Sequence, residues 1–557
     1  MASQIHYEVF IKKNRKAGWT LAEARENRED AITLAETLLN SLPDGSVRVS
    51  KEQFVESTRK FRSFTVMEKG ADKYALAEEK TGDASLPCLT PDDLSNAAAR
   101  DTIRRTLSQW LERQQATPME LLHRPDLVET LESGGTEMQH AIQKVALASA
   151  REGDANVHAY TRQLQDLTGR ALTRIYQDGR AKKLPRFPVG QSFAGMVEKI
   201  CAKPNVYKLR AAMADRLSEE RSYRDKLACL IGFTEDLPAD AELREIALTE
   251  TDAFMGEILG FDSGISSLLG DVEDLGGEIQ RLADIYCGRP DAEELAAGPA
   301  PARQLAAMVK EFPAARTAIA QRLLAQLRKP RRMKPDCVAT EVKLARALAQ
   351  QLVLSCGPDL PADQLQEAFS QRSARLLTPE TISDYIEDAE DANEEIARLL
   401  ALEENIVGAQ NKKKLAGYVR ACLGAHRTES WFTRGPGNAL DRLSRLASHQ
   451  KRAMRGHYPE EELDDLAGTF DALGRKVLES SNLLDQVASS DRPVLDRVTS
   501  LLRLASTGVL PVGFCTTDAK ERAMKLLRSD AGNQEVRDIT SQAKLGEIES
   551  LIKSMAA

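Results

Sequence analysis

The chain is short of aromatic residues and of every common catalytic signature. Phe, Trp and Tyr make up 5% of its 557 residues. Ala, Leu, Glu and Arg recur instead, and these side chains lose little rotamer freedom in a helix, so a mostly helical protein is expected. No Gly-x-x-x-x-Gly-Lys-Ser/Thr loop and no Gly-x-Ser-x-Gly turn occurs. ATP hydrolysis and esterase chemistry therefore lose their usual supports. The eight cysteines include no Cys-x-x-Cys, and the closest pair, Cys337 and Cys356, is nineteen positions apart. Scattered single thiols in contexts such as LACLIGF and RACLG read as small buried hydrophobes in a reducing compartment, not as zinc or redox sites. Among the seven histidines there is no His-Glu-x-x-His and no i, i+4 pair, and His449 and His457 stand eight apart. Two helical turns is too far for one metal, so neither a metal nor a cofactor is expected.

Long apolar runs are missing too. Nowhere do eighteen apolar residues stand together, and MASQIHYEVF lacks a charged segment followed by an apolar core. A cytoplasmic protein with no signal peptide and no membrane span is expected. The formal net charge of −8 is mild for this length and argues against a general nucleic-acid binder.

What is present begins with a segment unlike the rest. Ile5, Tyr7, Val9 and Ile11 alternate with His6, Glu8, Phe10 and Lys12, the period of a strand with one face buried. After the polar turn KNRKAG, Trp19 and Leu21 mark a second strand. NREDAITLAETLLNSL carries Ala31, Leu34, Ala35, Leu38 and Leu39 at helical spacing, with Asn27 to cap it and Pro43-Asp44-Gly45 to end it. Further strands are expected around Val47–Val49 and Phe61–Val66. Residues 1–70 thus read as a small α+β domain, a four-stranded antiparallel sheet with one helix on a face. Its Phe10, Lys12 and Lys13 are candidates for a partner-binding face.

On HYEVFIKK, GWTLAEA with NREDAITLAETLL, and SVRVSKEQF before FRSFTVMEK, this domain resembles a small α+β module of uncharacterised bacterial multidomain proteins, some of which carry signalling domains. The resemblance covers about an eighth of the chain. It implies a place in bacterial signal transduction and carries no catalytic residue with it.

Residues 71–93 turn polar, with Gly82, Pro87 and Pro91, and read as a linker. Helical patterns follow without interruption in an extended multi-helical body. Leu94, Ala97, Ala98, Ile103, Leu107, Trp110 and Leu111 recur at threes and fours, and Thr117-Pro118, Thr378-Pro379 and Tyr458-Pro459 each place proline at a first helical position. Breaks fall at GRAKKLPRFPVG (179–190), GPAP (298–301) and KPRRMKP (329–335). The last is taken as a boundary between helical domains at 94–330 and 336–557. No fixed repeat period is present. A long amphipathic helix is expected over Pro459–Val487, and helices over Pro493–Ser506, from Thr517-Asp518, and through Val536, Ile539 and Ile548.

Charge is segregated in the second helical domain. Thr378–Gly424 reads as a helix, a break and a second helix: an acidic run from Asp384 to Glu395, an apolar patch Leu399–Leu402, then Lys412–Lys414. A solvated face is the expected role of the acids. GPGN at 435–438 reads as an interhelical turn. Beyond it Leu440, Leu443, Leu446, Ala447 and Met454 form an apolar stripe, while Arg442, Arg445, Lys451, Arg452 and Arg455 supply cations. These five are the candidate contact residues, toward a protein partner or the acidic run. The function expected is non-enzymatic, a regulatory or scaffolding protein that binds other proteins through helical surfaces. The alternatives are an enzyme with a site assembled from dispersed residues and a nucleic-acid-associated factor using the basic helix near 442–455.

Overall fold

A computed structural model describes residues 5–13, 19–42, 45–55, 60–70, 88–153, 157–201, 205–537 and 542–556. The protein is mainly helical, with a small antiparallel sheet at its N-terminal end and helices thereafter. Strands β1 (Ile5–Lys12), β2 (Thr20–Arg25), β3 (Ser46–Val55) and β4 (Lys60–Gly70) pair in the order β2-β1-β3-β4. Every pairing is antiparallel. Helix α1 (Arg28–Asn40) covers one face: Ala31 and Ala35 meet Val9, Val47 and Val49, all fully buried, with Tyr7 and Ile11 beside them. Period-two alternation in β1 therefore decides which side carries the core. Asn27 caps α1, its Oδ1 accepting the Glu29 N–H at 3.0 Å. The outer face gathers half-buried Phe10 and exposed Leu21 with Trp19, whose ring lies 4.3 Å from the Arg48 guanidinium. Residues 14–18, 43–44 and most of the expected linker, 71–87, lie outside the described residues.

Contacts divide the chain into Met1–Ser267 and Leu268–Ala557. The boundary expected at 329–335 is not where they divide. That stretch is irregular, as its prolines require, but it is packed within the second unit: Met333 is fully buried, its N–H reaches Glu341 Oε1 at 2.9 Å, and its carbonyl accepts from Gly276. Lys334 pairs with Asp274 at 2.8 Å. Proline and charge mark a break in helix, and tertiary bonds decide whether the break is also a hinge.

In the first unit, helices run from Ala97–Thr106 to Ala241–Leu259. The pattern read as one helix from Leu94 splits into a 3-10 turn at Asp93–Ser95 and helices Ala97–Thr106 and Ser108–Gln114. The short helix Pro118–Leu121 is entirely buried. Thr117 and Glu120 cap it reciprocally: Thr117 Oγ1 accepts the Glu120 N–H at 3.2 Å and Glu120 Oε2 accepts the Thr117 N–H at 3.0 Å. Such a buried segment leaves polar backbone in the core, and charged side chains satisfy it. Lys226, 2% exposed, donates to the Gln115 carbonyl and to Glu120 at 2.7 Å; Glu257 accepts the Met119 N–H and pairs with Arg100.

His123 belongs to the same frame. It is buried, with Nδ1 2.7 Å from the Met119 carbonyl and Nε2 without a partner among the described residues. Its ring lies 5.0 Å from Tyr207. Burial, against the pull of the Met119 bond and with help from Arg210, Arg174 and Arg100, holds its pKa down to about 3. An unfolded histidine titrates near ~6.5, so between those values the unfolded chain takes up a proton that the folded chain refuses. His123 is therefore expected to remove stability as pH falls from the ordinary histidine range toward 3, and to have no effect above it. Denaturation midpoints of wild type and His123→Leu, compared across that window, should converge as pH falls. Parallel curves would show that His123 is not responsible.

The second unit packs its helices around Phe432, Leu446, Leu466, Phe470, Val477, Val498 and Leu501. The long helix expected over Pro459–Val487 begins at Glu460, with Pro459 as its cap, and stops at Ser481. Asn482 takes a left-handed φ of 50°, and a short helix Leu483–Ala488 follows. Of the apolar residues that recur at helical spacing there, Leu466, Phe470, Leu473, Val477, Leu478 and Leu484 are buried and Leu463 is half-buried. The closing pattern divides into Asp530–Val536 and Gln542–Ala556, with Ile539 outside the described residues.

Candidate functional site

The basic helix of the second unit spans Ala439–Arg455. Asn438 caps it, accepting the Asp441 N–H at 2.8 Å, and Arg452 and Arg455 lie at its C-terminal end, where the helix dipole favours cations. Leu443, Leu446, Ala447 and Ala453 turn inward, whereas Leu440, expected in the stripe, is 37% exposed.

The five predicted contact residues separate. Arg442 is buried and unavailable to a partner. Its guanidinium donates to the carbonyls of Phe432 (2.7 Å), Thr433 (3.1 Å), Gly435 (2.8 Å) and Gly437 (2.7 Å). A helix leaves its last carbonyls without internal partners, and in His426–Arg434 Arg442 satisfies those of Phe432 and Thr433. The GPGN turn thus presents its oxygens to a cation of the same chain. A Cβ on Gly435 would stand 2.2 Å from the Trp431 carbonyl, so the turn can close only on glycine there. Arg445 is exposed, 5.9 Å from the Trp431 ring. Arg452 pairs with Glu404 at 3.3 Å, and Lys451 and Arg455 are exposed.

The acidic run meets this helix at few points. Thr378–Gly424 holds three helices, Pro379–Ile386, Ala392–Glu403 and Ala409–Gly424, because Asp391 caps the second and breaks the pattern read as one. Asp384, Glu387, Asp388 and Glu390 are exposed; Glu395 pairs with Arg427 at 2.6 Å. Toward the basic helix the contacts are Asn393 Oδ1 with His449 Nε2 at 2.8 Å and Glu404 with Arg452. Burial, then Arg452 and Arg445, hold the His449 pKa down to about 4, which makes this imidazole a neutral spacer. His457 is exposed, and no group of three or more metal-ligating residues exists among the described residues.

The surface feature missed from sequence is the turn after Ser506. Val512 is 70% exposed and Phe514 42% exposed, yet the backbone between them is pinned on both sides. Gln450 accepts the Val512 N–H at 2.6 Å and donates to its carbonyl at 2.8 Å. Asp471 accepts the N–H groups of Phe514 (2.6 Å) and Cys515 (2.9 Å). The helix expected to start at Thr517-Asp518 therefore starts at Phe514, with Asp471 occupying its N-terminus. Gly513 sits at φ 140°, and a Cβ there would meet the Asp471 carboxylate at 2.6 Å. The Arg475 guanidinium lies 3.7 Å from the Phe514 ring, and Lys451 adjoins the anchoring Gln450 in the basic helix. Two apolar side chains are thus held in solvent, Phe514 with a guanidinium against its ring. GVLPVGF carries the signal, large apolar residues between glycines, but its pinning partners lie about forty and sixty positions upstream.

Comparison with protein-family models, curated proteins and solved structures found no match.

Proposed function

We propose that this chain is a cytoplasmic regulatory or scaffolding protein that binds another protein through the helical surface around Val512 and Phe514. The observation that carries the reading is the double pinning of that turn by Gln450 and Asp471. Apolar side chains on a mobile loop lose conformational freedom on binding; on a fixed loop that loss has already occurred in folding. Exposed Arg445, Lys451 and Arg455 give the basic helix its charge, and charge of this kind governs encounter rate and salt dependence more than affinity. The N-terminal module is a second contact, and its resemblance implies a role in bacterial signalling. No helix among the described residues is long and apolar enough to cross a membrane.

The test is capture from native lysate by the full chain, at low and high salt, set against Val512→Asp. A charge at a desolvated anchor should weaken the partner by about 2 kcal/mol or more, roughly thirtyfold, while reversal of Lys451 and Arg455 should act chiefly at low salt. Equal recovery of every protein by wild type and Val512→Asp defeats the proposal. Recovery of nucleic acid alone, lost at high salt, favours the basic helix as a phosphate-binding element instead.

A further inference from the structure

A cavity of about 200 Å³ opens in the second unit between helices Val338–Val353 and Ala362–Leu376 and the turn Glu404–Val407. It exists because the first helix presents Ala345 and Ala349 opposite Phe369 and Leu376, small side chains facing large ones. That volume is equivalent to roughly six or seven waters, enough for a branched aliphatic group with its polar head at the rim. The rim is polar and divided by sign. Arg346 and Gln350 stand on the helix side, and Glu404 and Asn405 on the turn side. Buried Arg372 adds a guanidinium to the wall; its Nη groups go to the carbonyls of Gln326, Leu327 and Arg331, and its Nε has no partner among the described residues.

The turn side is rigid. Ser373 Oγ accepts the Val407 N–H at 3.0 Å, and Asn411 donates to the carbonyls of Ser370 (2.8 Å) and Val407 (2.7 Å). Gly408, at φ 100°, has no room for a Cβ against Ser370. Helix Ala392–Glu403 ends here, so its negative dipole end adds to the Glu404 carboxylate. Arg346 and Glu404 face each other at 3.4 Å, both about half exposed. Such an exposed pair contributes little to stability and exchanges readily for a better-matched ligand.

We infer that this cavity binds a free aliphatic α-amino acid, its side chain against Phe369 and Leu376, its ammonium at Glu404 and Asn405, and its carboxylate at Arg346 and Gln350. Glu404 also holds Arg452, so the bound ammonium competes with both arginines for one carboxylate.

The experiment is isothermal titration of the full chain with L-leucine, L-isoleucine and L-methionine. Isoamylamine and 4-methylpentanoate, leucine without its carboxylate or without its amine, are the controls. Saturable binding of at least one amino acid is expected, with each truncated compound weaker than leucine by about tenfold or more, since each forfeits a charged hydrogen-bonding end. Ala349→Phe should abolish binding by filling the cavity. Glu404→Gln, a change at an exposed position, should weaken it about tenfold and serves as the second variant if phenylalanine disturbs the helices. The proposal is overturned if none of the three amino acids binds saturably, if isoamylamine binds as well as leucine, or if Glu404→Gln binds like wild type.

Discussion

Arg442→Met should lower the stability of the second unit by about 3–5 kcal/mol, whereas Arg455→Met in the same helix should change it by about 0.5 kcal/mol or less. The two arginines are indistinguishable by composition. Arg442 is buried with its donors spent on four carbonyls, and methionine would strand all four at a helix end and its following turn. An unsatisfied buried acceptor costs about 1–3 kcal/mol, and partial rehydration keeps the sum below four times that. Lysine should rescue little, because one ammonium cannot reproduce the planar fork that spans Phe432 to Gly437. Denaturant midpoints give the magnitude, and hydrogen exchange gives the place: protection should fall first in His426–Gly437. Equal effects of the two substitutions would mean that Arg442 acts as a surface charge after all.

In the first unit, Glu120→Gln should be the most damaging near-isosteric change, at about 3–5 kcal/mol. The substitution opens no cavity, so the loss is electrostatic. It removes the carboxylate that receives Lys226 at 2.7 Å and Arg124 at 3.0 Å, where the Lys226 side chain is 2% exposed. Burial already pushes the Lys226 pKa down, opposed by Glu120; without that opposition the ammonium is stranded. The sign of the pH response follows. A lysine refused its proton only in the folded state gains stability as pH rises toward the ordinary lysine range, so the deficit of Glu120→Gln should shrink at alkaline pH. Adding Lys226→Met should recover part of the loss, with a coupling of about 1–3 kcal/mol in a double-mutant cycle. Strict additivity of the two losses would show that the pair is not one interaction.

These two frames show where sequence reading stops. Thr117-Pro118 announces a helix start, and the structure places a helix there with both halves of its capping box made. Nothing local announces that this helix is wholly buried, because Lys226 lies more than a hundred residues away. The amphipathic pattern of leucine and arginine puts Arg442 on the outer side of its helix; the carbonyls that claim it belong to the preceding helix and turn. The Val512 turn was legible as a break and not as a rigid surface, since Gln450 and Asp471 pin it from two other helices. In the cavity beside Ala349 no residue carries a sequence signal of its own.

What the sequence determined by itself is local. Side-chain entropy, caps, prolines and periodicity settled the mainly helical class, the antiparallel sheet with α1, the helix starts at Thr117-Pro118 and Thr378-Pro379 and the inward faces of most helices, because each depends on residues within a few positions of one another. What only the tertiary structure decided is which charged residues are spent inside, which breaks are packed, and where apolar groups stay in solvent. Those outcomes rest on bonds between residues tens to hundreds of positions apart, and a buried polar group takes whatever partner the packing brings to it, at whatever separation along the chain.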